Sequence, residues 1–342
     1  MIDCLALGEV MLRFDPGPTR IAEAESFKIW EGGGEYNVAR GLSRCFGRRT
    51  AIVTALVDNA VGQLVKNRIA AGGVETSLIR WLPDDGIGES CRNGVYFLER
   101  GFGLRPALGV SDRGHSAVSQ LQPGDIDWQR IFSDHQVRWL HSGGIMAGLS
   151  ASSPEVIIEA MSAAKQHGAT ISYDLNYRSS LWQRLGGKKK AEEINHTILP
   201  HVDVLFGVEG LDSVPSDLNP EPFRLAIEKT ADVYPQLKSI ATTMRIVRTA
   251  TCNDWGGLLW HEGKFFEGAQ FPNLEIYDRV GGGDAFAAGI VHGLLANLAP
   301  QKTIDYGVIH GALTMTTPGD NSMCTLAELD RFLANRELGV IR

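Results

Sequence analysis

The chain has 342 residues, 44% hydrophobic and 21% charged, and 33 Lys and Arg against 40 Asp and Glu give a formal net charge of −7. Those values are ordinary for a globular protein and argue against a nucleic-acid binder, which carries a basic face. The five cysteines, Cys4, Cys45, Cys91, Cys252 and Cys324, are scattered without a Cys-x-x-Cys pair, so neither a zinc site nor a disulfide framework is indicated and a reducing cytoplasm fits.

In chain order, Asp3 and a strand-like Leu5-Ala6-Leu7 open the sequence without the basic start and apolar stretch of a signal peptide. No apolar run approaches the roughly 18 residues that a membrane helix needs. Residues about 10–34 hold short strand-like runs rich in Gly, Arg and aromatics. They end in Gly32-Gly33-Gly34-Glu35-Tyr36-Asn37, which precedes a helical pattern through Val38, Leu42 and Phe46 to Gly47. Glycines there let polyol hydroxyls approach the backbone, and Asn37 offers donors and an acceptor. The same pattern also fits a plain loop-to-helix turn.

Residues about 90–114 repeat the irregular character, with Asn93 to Glu99 strand-like and Arg105 and Arg113 nearby. The two segments together read as a small β lid, whose closure would exclude water from a site beneath it. Ordinary surface loops fit them as well. Beyond lies an alternation: a strand at Val137–His141, a helix from Ser153-Pro154-Glu155 to Gly168, and a strand at Thr170–Tyr173. That is a β-α-β unit and implies a parallel sheet covered by helices. Asp174-Leu175-Asn176-Tyr177-Arg178 follows the third element, where open α/β sheets bind ligands and where an Arg can clamp a carboxylate or phosphate. A surface ion pair would place Arg178 there too. Lys188-Lys189-Lys190 reads as the solvated start of a helix, Val202–Phe206 and Ser239–Thr243 as further strands, and Gly257–Trp260 with Lys264–Phe266 as a hairpin. With no repeats and no linker, one domain spanning 1–342 is expected, with the lid attached.

The most informative run is Asp278-Arg279-Val280-Gly281-Gly282-Gly283-Asp284-Ala285-Phe286, which leads into a helix of small and apolar residues. A helix mouth carries unpaired N–H groups and partial positive charge, and glycines let that backbone reach a phosphate. Asp284, stabilised as an anion by the same dipole, would be placed to take a proton from an attacking hydroxyl. The combination points to phosphoryl transfer to an alcohol. No P-loop, Gly-x-Gly-x-x-Gly or Gly-x-Ser-x-Gly pattern occurs, so P-loop, dinucleotide and hydrolase-elbow readings lack support.

Taken with Gly8-Glu9-Val10-Met11-Leu12-Arg13, Tyr96-Phe97-Leu98-Glu99, Arg105-Pro106, Asp112-Arg113, Ser116-Ala117, Leu181-Trp182 and Pro318-Gly319-Asp320, these stretches resemble the ribokinase-like (PfkB-type) carbohydrate kinases over essentially the whole chain. The likeness is strongest to the 2-keto-3-deoxygluconate kinase branch. It implies a three-layer α/β/α sandwich with a mostly parallel central sheet and a small β-sheet lid, ATP as donor and Mg²⁺ as the divalent metal. It implies Asp284 as base and the amides of Gly281, Gly282 and Gly283 as the anion hole. Gly33, Gly34, Glu35, Tyr36, Asn37, Tyr96, Arg113, Arg178 and Asp320 would line the sugar site. Asn176, Tyr177, Arg178, Thr243, Arg245, Arg248, Gly281 and Gly283 would hold the nucleotide.

The expected reaction is phosphorylation of a sugar acid hydroxyl, 2-keto-3-deoxygluconate to its 6-phosphate. The alternatives are a kinase for a neutral sugar such as fructose or ribose, and a sugar/nucleotide-binding protein impaired in catalysis. Neither nucleic acid nor membrane is an expected partner, whereas a homo-oligomer, dimer or higher, is. The chain departs from the family at Gly282, where Ala is usual, and at Ser111, where the nearest branch often has an aromatic residue. The family's Asn-x-x-Glu, which helps organise metal and phosphates, is replaced by Val208-Glu209-Gly210-Leu211.

Overall fold

Cys4–Leu7 and Thr50–Val57 are buried along their whole length, as a parallel sheet covered on both faces requires. The computed structural model describes residues 1–210 and 217–335. Among them the central sheet runs, edge to edge, Lys264–Glu267, Cys252–His261, Ser239–Thr249, Val204–Phe206, Thr170–Asp174, Trp139–Gly143, Cys4–Leu7, Thr50–Val57 and Val74–Glu75. From Ser239–Thr249 to Val74–Glu75 each pairing is parallel. The expected hairpin is the antiparallel pair Cys252–His261 and Lys264–Glu267. Glu262 and Gly263 close it, both at positive φ (46° and 81°), which suits the right-handed twist of the two strands.

Strand and helix boundaries moved by a few residues from the expected ones. The strand expected from Val137 begins at Trp139, because the Arg138 N–H bonds back to the Ile2 carbonyl before the ladder starts. The helix expected at Ser153 does run Ser153–Gln166 with Pro154 in its first turn, though Ser152 caps it without a side-chain bond. No helix among the described residues is long and apolar enough to cross a membrane, and all five cysteines are free.

Helices cover both faces. Trp128–His135, Ser153–Gln166, Gly187–Ile198 and Glu221–Val233 bury Phe132, Ile157, Ile198 and Ile227 on one side. Gly34–Phe46, Gly282–Leu295, Pro300–Thr314 and Leu326–Asn335 bury Leu42, Phe286, Ile304 and Leu329 on the other. The small residues of the Gly282–Leu295 helix have a packing reason. A Cβ on Gly289 would lie 2.7 Å from the Gly307 backbone, so these two helices touch main chain to main chain.

The small separate sheet orders Lys28–Gly32, Met11–Asp15, Val95–Glu99 and Leu108–Asp112, strands drawn from the 10–34 and 90–114 segments. Phe14, Phe27 and Phe97 pack ring on ring beneath it, with centroids 5.1–6.0 Å apart. Arg13 ties this sheet to the body. Its fully buried guanidinium bonds Asp320 Oδ1 at 2.7 Å, Asp278 Oδ2 at 2.6 Å and Asp15 Oδ2 at 3.3 Å. A charge without solvent is tolerated only when paired in this way, so the guanidinium locks together the small sheet, the approach to the Gly282 helix and the Asp320 loop.

Candidate active site

Ligands in open α/β sheets gather beyond the carboxyl ends of the strands, and Gly8, Gly143, Asp174 and Gly207 all lie at such ends. Between this rim and the small sheet lies a cavity of about 760 Å³. Both glycine runs open onto it, through Gly32, Gly33 and Gly34 and through Gly281 and Gly283.

Each glycine of the second run is required for a different reason. Gly281 caps the helix at φ 80°, and a Cβ there would sit 1.8 Å from the Asp320 carbonyl. Gly282 is buried against Met315, while Gly283 faces open space. No side chain caps this helix, and its first backbone bond is from the Ala285 N–H to the Gly281 carbonyl, 2.8 Å. The amides before it have no partner within the helix and are free to meet an anion.

Asp284 lies one residue further on. Its Oδ2 accepts a 2.7 Å hydrogen bond from Asn37 Nδ2. Burial pushes its carboxyl up to about 6, against the opposing influence of that hydrogen bond and of the Arg178 charge. A base with this affinity is ionised at neutral pH yet still takes up a proton readily. Asp174 is raised to about 7, first by burial and then by the charge of Asp284, while the Asn176 N–H (3.0 Å) and Arg178 oppose the shift. Asn176 holds a left-handed backbone (φ 28°), which Asn tolerates better than most residues.

The wall has two chemical ends. Arg178, Arg245 and Arg279 face the cavity, and none has a carboxylate within ion-pair distance among the described residues. Burial, and then the charge of Arg279, holds Arg245 below the usual guanidinium value. At the other end Arg113 is already paired with Glu9, and the Tyr96 hydroxyl donates to Asp320 Oδ2.

Of the residues singled out from sequence, Gly33, Gly34, Asn37, Tyr96, Arg113, Asn176, Tyr177, Arg178, Thr243, Arg245, Gly281, Gly283, Asp284 and Asp320 share this wall. Four do not. Gly282 is turned into the core by the helix that it begins. Glu35 and Tyr36 follow Gly34 on a helix whose cavity-facing residues are Gly34 and Asn37, three apart, so the two between point elsewhere. Glu35 reaches under Gly8 and Gly143, and the Tyr36 hydroxyl donates to Glu31. Arg248 is three residues past Arg245 on a strand and therefore on the opposite face, where it pairs with Asp254.

Glu9 and Arg279 line the wall without having been given a site role from sequence, and Asp174, read there only as part of a strand-end run, joins them. Glu9 lies just past the Cys4–Leu7 strand, a signal that was available. Glu209 accepts from Asn195 Nδ2 at 2.9 Å and does not reach the wall; Leu211, the last residue of that stretch, is outside the described residues.

A family model described as pfkB family carbohydrate kinase matches residues 1–327. The 2-dehydro-3-deoxygalactonokinase of Haloferax volcanii is 28% identical over 99% of both chains. The crystal structure of 2-dehydro-3-deoxygluconokinase from Thermotoga maritima superposes with a TM-score of 0.87 at 31% identity, covering 98% of this chain and all of that one. A ribokinase II from E. coli, crystallised with ATP and Mg²⁺, shares the fold alone, with a TM-score of 0.78 at 18% identity over 98% of this chain and 99% of that one.

Proposed function

The chain belongs to the pfkB family of carbohydrate kinases, and from that premise we propose that it transfers the terminal phosphoryl group of ATP to a hydroxyl of a sugar acid, 2-keto-3-deoxygluconate or a close stereoisomer. The observation that carries this reading is the juxtaposition in one cavity of a half-buried carboxylate at an uncapped helix mouth with three arginines that have no carboxylate partner among the described residues. The names of the relatives in Haloferax and Thermotoga support the substrate class.

The donor's phosphates lie toward Arg178, Arg245 and Arg279, with the terminal group at the amides beside Gly281 and Gly283, whose N–H groups stabilise the charge that develops on transfer. The sugar lies toward Asn37, Tyr96, Arg113 and Asp320. Asp284, between the two, accepts the proton of the attacking hydroxyl as the bond to phosphorus forms. Asn37 holds the Asp284 carboxylate in place. No group of three or more His, Cys, Asp or Glu side chains among the described residues could hold a metal ion; Mg²⁺ would be held by the nucleotide's phosphates and water with one or two carboxylates of the cavity wall, where Asp174 and Asp284 lie, as this ion prefers. The small sheet is the lid in this reading, and 1–342 is one catalytic unit.

One observation favours a neutral sugar instead: Arg113 is already neutralised by Glu9. For an acidic substrate, the substrate carboxylate must displace Glu9 from Arg113. An ADP-release screen over sugar acids and neutral sugars with ATP and Mg²⁺ tests both. Under the acid reading, 2-keto-3-deoxy sugar acids turn over best and Arg113→Ala raises their KM at least tenfold, about 1.4 kcal/mol. An Arg113→Ala enzyme with unchanged KM for its best substrate overturns the acid reading, and no ADP release with any sugar overturns the kinase reading.

A further inference from the structure

Glu35 is the buried titratable group that this mechanism leaves unused. It is 2% exposed, and its Oε2 has no hydrogen-bond partner among the described residues. Its place is built for it. A Cβ on Gly8 would lie 2.3 Å from Oε2, and a Cβ on Gly143 would lie 3.2 Å from Oε1, so two glycines at the ends of neighbouring strands are hollowed out to admit this carboxyl. The same Gly143 position is 3.5 Å from Asp174 Cβ, and the preceding Gly34 position is 3.8 Å from Asp284 Oδ1. Glu35 therefore lies directly behind the two carboxyls that face the cavity.

The charged and titratable groups around it are Asp284 on the Gly282 helix, Tyr173 and Asp174 at the end of their strand, and the Glu9–Arg113 pair on the small-sheet side. Backbone amides, its own and that of Met146, are the polar groups that favour its charged form. No cation among the described residues is bonded to it. A buried carboxyl so close behind two half-buried ones does not ionise together with both of them.

We propose that Glu35 is a positioning residue acting through Asp284 and Asp174: held as the neutral acid, it adds no third negative charge behind those two carboxyls, and loss of its proton turns the site off on the alkaline side. The kinetic half rests on the kinase reading above; the protonation half does not. Burial, reinforced by the Asp284 charge and opposed by the amides and Arg113, raises the carboxyl to about 8. The neutral form therefore prevails at physiological pH. Above that value a further negative charge under the polyphosphate opposes nucleotide binding and the charge developing in transfer.

The test is kcat/KM for ATP against pH, each enzyme normalised to its own maximum, with unfolding midpoints over the same range. Wild type is expected to lose about tenfold per pH unit above pH 8, the behaviour of one titrating proton. Glu35→Gln and Glu35→Ala, which cannot ionise, are expected to stay level there. A variant with the wild-type alkaline limb, or a wild-type profile flat through pH 9, overturns the proposal.

The stability arm needs no catalysis. A carboxyl that keeps its proton in the folded state and loses it near 4.5 when unfolded lowers stability as pH rises between the two values, because the folded state binds more protons. Removing that carboxyl removes the loss. The midpoint of Glu35→Gln minus that of wild type is expected to increase steadily from about pH 5 to about pH 8. A difference independent of pH overturns the neutral-acid assignment even where the kinase reading itself has failed.

Discussion

The molecule contains nearly the same four-residue word twice. Gly32-Gly33-Gly34-Glu35 and Gly281-Gly282-Gly283-Asp284 each place three glycines and an acid at the start of a helix opening on one cavity. They do different work because the helices begin at different letters. Gly33 caps the first, so Glu35 is its second residue; Gly281 caps the second, so Asp284 is its third. One residue turns a side chain by about 100°. Glu35 goes into the protein under Gly8 and Gly143, while Asp284 meets Asn37 at the cavity. The cap geometry follows the same division. Gly33 is extended (φ 171°), and only the Glu9 carbonyl, 1.9 Å from its missing Cβ, demands glycine there; Gly281 needs glycine both for φ 80° and for the Asp320 carbonyl. Composition is thus a poor guide to role here, and the register of the cap decides.

The largest effect should come from making the two acids exchange importance. Asp284→Asn keeps the shape and removes the base, and is expected to lower kcat by roughly 10²–10⁴ while nucleotide binding by calorimetry persists. Glu35→Gln should cost far less at neutral pH, since the amide resembles the neutral acid already present. Comparable losses in both variants would mean that the cap register does not separate catalyst from support.

A second contrast lies inside one run. Gly281→Ala forces a side chain into the left-handed region and against a carbonyl, and is expected to destabilise the fold by about 2–4 kcal/mol. Gly283→Ala meets nothing within 4 Å and should leave stability within about 0.5 kcal/mol. Its methyl group, however, projects toward the anion, so KM for ATP should rise. Chemical denaturation of both variants checks the first half and initial rates the second. Equal destabilisation would show that neighbouring glycines are all conformational.

The sequence carried the sheet-and-helix order because buried parallel strands are continuous apolar runs and because Gly and Ser-Pro mark helix ends, as at Gly47 and Ser153. It also carried most of the wall, since residues after strand ends and within glycine runs converge in this fold. What it did not carry was direction. The motif containing Glu35 and Tyr36 reads identically whether they face the ligand or the core, and Arg248 looks as available as Arg245 until strand alternation is applied. Long-range pairing was equally hidden. Nothing local to Arg13 announces Asp278 and Asp320, 265 and 307 residues away, and nothing local to Arg113 announces Glu9.

The smallest predicted effect tests the bond that joins the two glycine-led helices. Asn37 Nδ2 donates to Asp284 Oδ2, and a donor to a carboxylate favours the charged form. Asn37→Ala removes that support, so the Asp284 carboxyl should hold its proton to higher pH. The enzyme needs the unprotonated form, so the acid limb of kcat/KM, expected near pH 6 in wild type, should move upward by about one pH unit. At pH 8 the loss should be modest, because Asp284 is ionised in both enzymes. Orientation and protonation are thereby separable. A variant slow at every pH with an unmoved limb would make Asn37 a positioning group alone, whereas a limb that moves with nearly full activity at pH 8 would make its main contribution electrostatic.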